Sequence, residues 1–484
     1  MVVLLAAVAL ACAAGSPSAR SGPVIAGDHP DPSILRAGSG WYAAATSGSW
    51  LPAFPVLRSG DTRSWRQVGA VLERRPRWAA GDFWAPELVR RGQGALVYYA
   101  ARSRSGRRCV AVASSARLRG PYRDEGPLVC SGVGEIDPLP VTDEHGADWL
   151  VWKQDGNSEG QPTPILAAPL APGGLQLAGV PHELFRADEP WERGLVEAPA
   201  LLRRDGMFYL LYSAGRCCGL RCNYVTGVAR SRSLLGPWEK RPGPFLEDDA
   251  SFRCPGHVSV AGAPGGGLLL AYHAYARDDP ANRQFLIAPL EFDAEGWPTL
   301  GAAAHSGPGA VPVRFDFEGA RLGQGWQWPV GLRPAARAGG GGLELGPGVL
   351  AHQAGTATFS ARTAVTERRR GARPGLAVMA SAANGVGVEL RGRQALAWRI
   401  DEGRRAELGR VRLHGPRARR DKPVELRLTM GASVRLAVRT RRGWRPLGGD
   451  QPQPRWSSGP RVALRVGGPA AARASFDDLW ISPG

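Results

Sequence analysis

Five short segments between residues 23 and 300 share one pattern, and it limits the fold more than any other feature of the chain. Each has an acidic or polar residue, commonly a Pro, and then apolar residues: His29-Pro-Asp31-Pro-Ser-Ile34, Phe83-Trp-Ala-Pro-Glu87-Leu88, Glu135-Ile-Asp137-Pro-Leu139, Val196-Glu197-Ala-Pro-Ala200 and Gly256-His257-Val-Ser-Val260. The marked residues 31, 87, 137, 197 and 257 are spaced by 56, 50, 60 and 60. A second aromatic or apolar strand follows each segment, as in Ala95-Leu-Val-Tyr-Tyr99 and Met207-Phe-Tyr-Leu-Leu-Tyr212. A third follows at 55–58, 109–113, 165–168, 224–229 and 285–288. A fourth is marked by Trp65-Arg-Gln-Val68, Pro121-Tyr-Arg123 and Pro237-Trp-Glu239. Gly- and Pro-containing turns separate them, as hairpins require. Four strands in each of five units make a β-propeller, whose circular repetition leaves few open sheet edges. A TIM barrel would need a helix after every strand, and these broken connections do not supply eight.

The predicted architecture is all-β: a five-bladed β-propeller over residues 20–300, a linker at 301–310 and a β-sandwich over 311–484. Two domains suit a chain of 484 residues, which is too long for one ordinary core. The linker is small and rich in Gly, Ser and Pro. Beyond it the five-unit rhythm gives way to alternating strands at 357–364, 375–379, 386–390, 395–399, 424–428 and 434–439. Trp326 and Trp328 near the start of this region suit either the sandwich core or an interface with the propeller.

Residues 1–19 contain an apolar stretch, Val2 to Ala14, before Gly15-Ser-Pro-Ser18, and read as a secretion signal. Cys12 after Ala9-Leu-Ala11 offers an alternative lipoprotein anchor. No later apolar run is long enough to span a membrane. Six cysteines remain: Cys109, Cys130, Cys217, Cys218, Cys222 and Cys254. The even number predicts disulfides. Cys109 and Cys130 fall on neighbouring strands of one blade and pair first, and the other four pair so as to join the 217–222 loop to Cys254. The net charge of +18 invites a nucleic-acid partner. However, 58 Arg against three Lys reflects composition more than a binding face, and no specific nucleic acid is expected.

Asp31, Asp137 and Glu197 fall on predicted innermost strands and should converge on the propeller axis. Glycosidic bond hydrolysis needs one protonated carboxyl group to donate to the leaving oxygen and one ionised group to activate water or attack. A third carboxylate can raise the donor's pKa by like-charge repulsion. Taken singly, Asp-Pro and Glu-Ala-Pro are also ordinary turn formers; the periodic placement is what favours a site. Trp84, Glu87 and Trp152 are the substrate-binding candidates, Trp84 by stacking on a sugar ring. His257, in the fifth blade, is a candidate for holding a cation or an ordered water, or is a hydrogen-bonded channel histidine.

As a set, these stretches resemble glycoside hydrolase family 43, the arabinosidase and xylosidase family. Gly27-Asp-His-Pro-Asp-Pro-Ser-Ile34, Phe83-Trp-Ala-Pro-Glu87, Gly134-Glu-Ile-Asp-Pro138, Val196-Glu-Ala-Pro199 and Pro255-Gly-His257 carry the resemblance, with the turns Gly120-Pro-Tyr122 and Leu235-Gly-Pro-Trp238. It implies an inverting mechanism with Asp31 as general base, Glu197 as general acid and Asp137 as the residue that modulates and orients that acid. It implies a structural Ca2+ or water network beside His257, and a concanavalin-like sandwich, opened by Gly325-Trp-Gln-Trp328, that can wall the site and favour exo action. No other cofactor is required. The implied substrates are arabinan, arabinoxylan or their oligosaccharides, with α-L-arabinofuranosidase activity favoured and β-xylosidase or endo-arabinanase activity as alternatives. Other rivals are a retaining fructan-cleaving hydrolase of a related five-bladed family and a non-catalytic carbohydrate-binding protein. The Cys217-Cys218-x-x-x-Cys222 stretch departs from the family pattern and is a candidate shaper of a substrate subsite.

Overall fold

The computed structural model describes residues 22–301, 307–413 and 422–484, apart from Leu220 and Ser457. The expected signal, Cys12 and linker residues 302–306 lie outside the described residues. Five four-stranded antiparallel sheets form the N-terminal region, each with its strands in sequence order. The innermost strands are Ser33–Ala37, Ala79–Arg91, Glu135–Thr142, Val196–Arg204 and Phe252–Gly262. The second strands are Gly40–Ala44, Gly94–Ser103, Asp148–Gln154, Met207–Ala214 and Leu268–Ala276. Fourth strands that lacked a clear sequence mark are His182–Phe185 in blade 3 and Pro298–Leu300 in blade 5.

The blades stack face to face, so their middle strands are buried on both sides and read as continuous apolar runs. Leu96, Tyr98, Val110 and Val112 of blade 2 pack against Leu150, Trp152 and Ala168 of blade 3. The ring closes where the segment before blade 1 lies along the third strand of blade 5. There Val24 N–H donates to Phe285 O at 2.9 Å, and His29 N–H donates to Arg283 O at 3.0 Å.

Each blade's inner chain carries a non-glycine residue in the left-handed region near the axis: Asp31 (φ 51°), Ala85 (48°), Asp137 (57°), Ala198 (53°) and His257 (47°), with Asp82 (55°) and Cys254 (56°) as second cases in blades 2 and 5. In blades 2 to 5 these residues coincide with bulges in the strand pairing. The true structural repeat is therefore 31, 85, 137, 198 and 257. This corrects the sequence phasing in two blades: Glu197 precedes its blade's bulge residue by one, and Glu87 follows its own by two. Such a backbone costs on the order of 1–3 kcal/mol per residue. Hydrogen bonds from the preceding blade support it. Thr46 Oγ1 accepts from Ala85 N–H (2.7 Å), Asp137 Oδ2 from Ala198 N–H (2.9 Å), Ser213 Oγ from His257 N–H (2.8 Å) and His273 Nδ1 from Asp31 N–H (3.1 Å). At four of the five blade junctions one blade's side chain thus fixes the next blade's strained turn.

The C-terminal region is a sandwich of an eight-stranded and a six-stranded sheet. Its core holds Leu376, Val388, Leu426, Phe476 and Trp326. It docks directly on the propeller. Trp328–Pro329 pairs with Trp50–Leu51 of blade 1, and Trp328 packs against both the sandwich core and the propeller core. Trp50, contributed by the propeller, is buried among sandwich residues Val349, Ala377, Met379 and Trp398. Its indole N–H donates to Ala380 O at 3.2 Å.

Candidate active site

The inner strands bring the three acids predicted from sequence onto the axis, and each is held by different partners. Asp31 Oδ1 lies 3.2 Å from Arg283 Nη1, a guanidinium on the third strand of blade 5. Burial opposes charge on Asp31, but the Arg283 guanidinium together with His273 and His257 outweighs it and holds the carboxyl well below the usual carboxylate range. Its neighbours His273 and His257 are both shifted downward by burial, His257 to about 4, so both are neutral near pH 7. His257 Nδ1 lies 3.7 Å from Asp31 Oδ1.

Asp137 shows the opposite behaviour. Burial and the nearby charge of Glu197 push its carboxyl well above the usual range, while its Oδ2 accepts from the N–H of Ala198, the residue after Glu197. Glu197 is gripped at both oxygens: Lys153 Nζ reaches Oε2 at 2.8 Å and Tyr224 O–H donates to Oε1 at 2.8 Å. Lys153 is fully buried. It also bonds Asp155 Oδ1 (3.1 Å) and the Asn157 amide Oδ1 (2.9 Å), and against the effect of burial the carboxylates of Glu197 and Asp155 raise its pKa. Asp155 continues the chain of charges to Arg108 at 3.3 Å.

The remaining candidates divide. Trp84 is half-buried, with the Arg108 guanidinium 4.2 Å from its ring centre, so one ring face is covered and at most the other is left for a sugar. Glu87 is half-buried in the inner strand of blade 2, and burial pushes its carboxyl up to about 8. Trp152 is corrected: it is fully buried between blades 2 and 3, where its N–H donates to Glu135 Oε2 at 2.6 Å. It is core, because its indole packs against Leu96, Tyr98, Val110 and Val112 of blade 2, whereas the next residue, Lys153, reaches Glu197. For a cation beside His257 the side chains supply one nitrogen donor, and the nearby Asp31 is already neutralised by Arg283. Among the described residues no group of three or more His, Cys, Asp or Glu is spaced to hold a metal. A hard cation such as Ca2+ takes six to eight oxygens and would have to be held largely by water, so no step below passes through it.

Sequence reasoning missed Lys153, Tyr224, His273 and Arg283. Lys153 had a usable signal. The chain writes almost every cation as Arg, and only Lys153, Lys240 and Lys422 are lysine. Of these, Lys153 and Lys240 are buried in ion pairs, 1% and 10% exposed at the side chain.

The expected disulfides also form. Cys109–Cys130 lies in blade 2, Cys222–Cys254 ties the blade-4 loop to the inner strand of blade 5, and Cys217 pairs with its neighbour Cys218.

Carboxyl groups gathered on a propeller axis, one beside a guanidinium and one buried beside a second carboxyl group, suit the splitting of an O-glycosyl bond, the reaction of glycoside hydrolases. Residues 21–298 match Glycosyl hydrolases family 43, and the chain belongs to that family. Among curated relatives it is 27% identical over 289 residues to an extracellular endo-alpha-(1->5)-L-arabinanase of Bacillus subtilis, covering 56% of this chain and 86% of that protein. It is 26% identical over 345 residues to an extracellular exo-alpha-(1->5)-L-arabinofuranosidase of Cellvibrio japonicus, covering 61% and 91%. It is 27% identical to a xylosidase/arabinosidase of Humicola insolens, spanning about half of each protein, 52% and 48%. The solved xylan beta-1,4-xylosidase of Bacillus halodurans superposes with a TM-score of 0.80 over 96% of this chain and 99% of its own, at 20% identity, a likeness of fold across both domains.

Proposed function

We propose that this enzyme is an exported, inverting, exo-acting α-L-arabinofuranosidase working on arabinan, arabinoxylan or their oligosaccharides. The observation that carries the reading is the opposed setting of the carboxyl groups on the axis: Asp31 is paired with the Arg283 guanidinium at 3.2 Å, while Asp137 is buried beside Glu197, which pushes its carboxyl above the usual range. Asp31 is suited to take a proton from the attacking water. The Asp137–Glu197 pair keeps one proton available on the opposite side, and Lys153 and Tyr224 fix the direction in which Glu197 presents itself to the leaving oxygen. Asp137, bonded to the backbone after Glu197, sets both the charge and the position of that acid.

Exo action is supported by where the sandwich touches. Gly459 N–H donates to Asp28 Oδ2 at 2.7 Å, and Ala357 N–H to Asp279 Oδ2 at 3.1 Å. Asp28 and Asp279 stand three and four residues from Asp31 and Arg283. A Cβ on Gly459 would fall 2.4 Å from the Cβ of Asp28, so the approach requires glycine. A wall this near the base favours a pocket over an open cleft. Export is supported by the six cysteines, all in disulfides. The names of the relatives favour arabinose- and xylose-containing substrates, and β-xylosidase activity is the second reading, since the two pentoses differ only in contacts that small side chains decide.

The test is a screen of aryl α-L-arabinofuranosides, aryl β-D-xylosides, arabinan and arabinoxylan. The arabinofuranoside should be turned over fastest, with monosaccharide as the product. Hydrolysis of the xyloside alone would move the assignment to the second reading, and no hydrolysis of any of them would refute both. For the active substrate, kcat/KM should be bell-shaped in pH. It should fall as pH drops through the lowered pKa of Asp31, which protonates the base. It should fall again as pH rises and the Asp137–Glu197 pair loses the proton it shares, which leaves Glu197 nothing to donate. In Asp137→Asn a group that cannot ionise stands beside Glu197, so no second carboxylate charge resists loss of the acid's proton and the basic limb should move to lower pH; an unmoved limb would contradict the modulator role.

A further inference from the structure

The loop from Gly215 to Asn223, between the second and third strands of blade 4, is built more heavily than a surface connection needs. Its base is closed by Arg216 N–H donating to Asn223 Oδ1 at 2.7 Å and Asn223 N–H donating to Arg216 O at 3.0 Å. The Cys222–Cys254 disulfide fixes it to the inner strand of blade 5, three residues before His257. Gly219 N–H donates to Tyr275 Oη at 3.3 Å. Within this frame Cys217 and Cys218 are joined to each other. The bond closes a small ring through the peptide between them, so this stretch cannot adjust as an ordinary loop would.

The loop's two ends reach the two halves of the site. Tyr224, at its exit, donates its hydroxyl to Glu197. At its crown, Cys218 Sγ lies 3.6 Å from Arg283 Nη1, the guanidinium that pairs with Asp31. Cys218 is exposed, while Asp31 and Arg283 are only 13% and 11% exposed at their side chains. The disulfide therefore stands at the mouth of the site, directly above the base's cation. Disulfide sulfur is apolar and polarizable, and it packs well against C–H surfaces.

The geometry points to the Cys217–Cys218 disulfide as a specificity-determining wall of the pocket, one that seats the C–H face of the pentose being cleaved and keeps Arg283 against Asp31. This rests on the proposed pentoside hydrolysis. It adds a binding surface made of two adjacent sulfurs, with the Cys222–Cys254 bond as its brace.

Two measurements test it. In the first, the wild-type enzyme is exposed to a dithiol reductant, and the thiols released at Cys217 and Cys218 are alkylated and followed by peptide mass, with and without L-arabinose or D-xylose. The pentose should slow labelling at these two residues and leave labelling at Cys109 and Cys130 unchanged. In the second, the C217S/C218S double variant keeps the Cys222–Cys254 brace. Its KM for the aryl pentoside should rise about tenfold, the low end of what an apolar contact in a pocket is worth, with kcat lowered less. Its acid limb in pH should move upward as Arg283 loosens from Asp31. Labelling unaffected by either pentose would overturn the proposal, whether or not the variant folds. A folded variant with unchanged KM and unchanged acid limb would overturn it equally. Wild-type turnover, measured separately, reports on the pentosidase reading itself.

Discussion

Asp31→Asn is expected to lower kcat by about 10²–10⁴-fold, the usual contribution of a positioned general base, and to do so equally for a good and a poor leaving group. Water must be activated whichever aglycone departs. Asn preserves the shape of the side chain but not its charge, so Arg283, buried against it, loses its ion-pair partner. A melting curve should therefore accompany the kinetics, to separate lost chemistry from lost fold. Glu197→Gln should behave differently. It removes the donor to the leaving oxygen, so the loss should be large on alkyl or sugar aglycones and small on a dinitrophenyl glycoside, which departs without protonation. Equal losses on both substrates in the Gln variant would refute the acid assignment, and a leaving-group-dependent loss in the Asn variant would refute the base assignment.

Trp50→Ala should cost about 3–5 kcal/mol, the range for deleting a large buried aromatic. Trp50 belongs to blade 1 by sequence but is only 1% exposed, inside a cluster otherwise made by the sandwich. The Arg461 guanidinium lies 4.7 Å from its ring centre. Burial pushes Arg461 down to about 10. Gln327 Oε1 accepts from its Nε at 2.9 Å, and the Gln327 amide donates to Pro52 O at 3.1 Å. Removing the indole opens a cavity at the centre of this seam. Calorimetry should show a lower melting temperature. Turnover of a small aryl glycoside should also fall, because the same seam places Gly459 against Asp28 beside the base. Deleting residues 311–484 should damage small-substrate turnover for the same reason. An unchanged melting temperature and full turnover in Trp50→Ala would mean that the two domains are joined without depending on each other.

The propeller and its three axial acids were legible because the repeat places one marked segment per blade and the blade's second strand is written as a continuous apolar run. Six of the sandwich strands were legible from alternation, whereas Arg404–Arg412 was hidden by its four arginines and Gly348–Gln353, Gly443–Pro452, Arg461–Gly467 and Ala474–Pro483 were not read. The partners of the acids were not legible. Arg283 lies 252 residues from Asp31, and Lys153 lies 44 from Glu197, so ring closure brings the first pair together and the stacking of blade 3 on blade 4 the second. Trp152 misled because an aromatic in a sugar hydrolase invites a stacking role, yet its face of the strand packs on blade 2 while the next residue, Lys153, reaches Glu197. The phase of the repeat was off in blades 2 and 4 because the eye follows acids, while the backbone repeats its bulge at Ala85 and Ala198.

The central claim is a single displacement, with Asp31 activating water on one face of the sugar and Glu197 protonating the leaving group on the other. Proton NMR during the first minutes of hydrolysis, before mutarotation, reads the anomer that forms first. On an aryl α-L-arabinofuranoside the account predicts β-L-arabinofuranose as the initial product, and on a β-D-xyloside it predicts α-D-xylose. Initial release of the same anomer as the substrate would show a double displacement through a glycosyl-enzyme, and would contradict the roles assigned here to all three carboxyl groups.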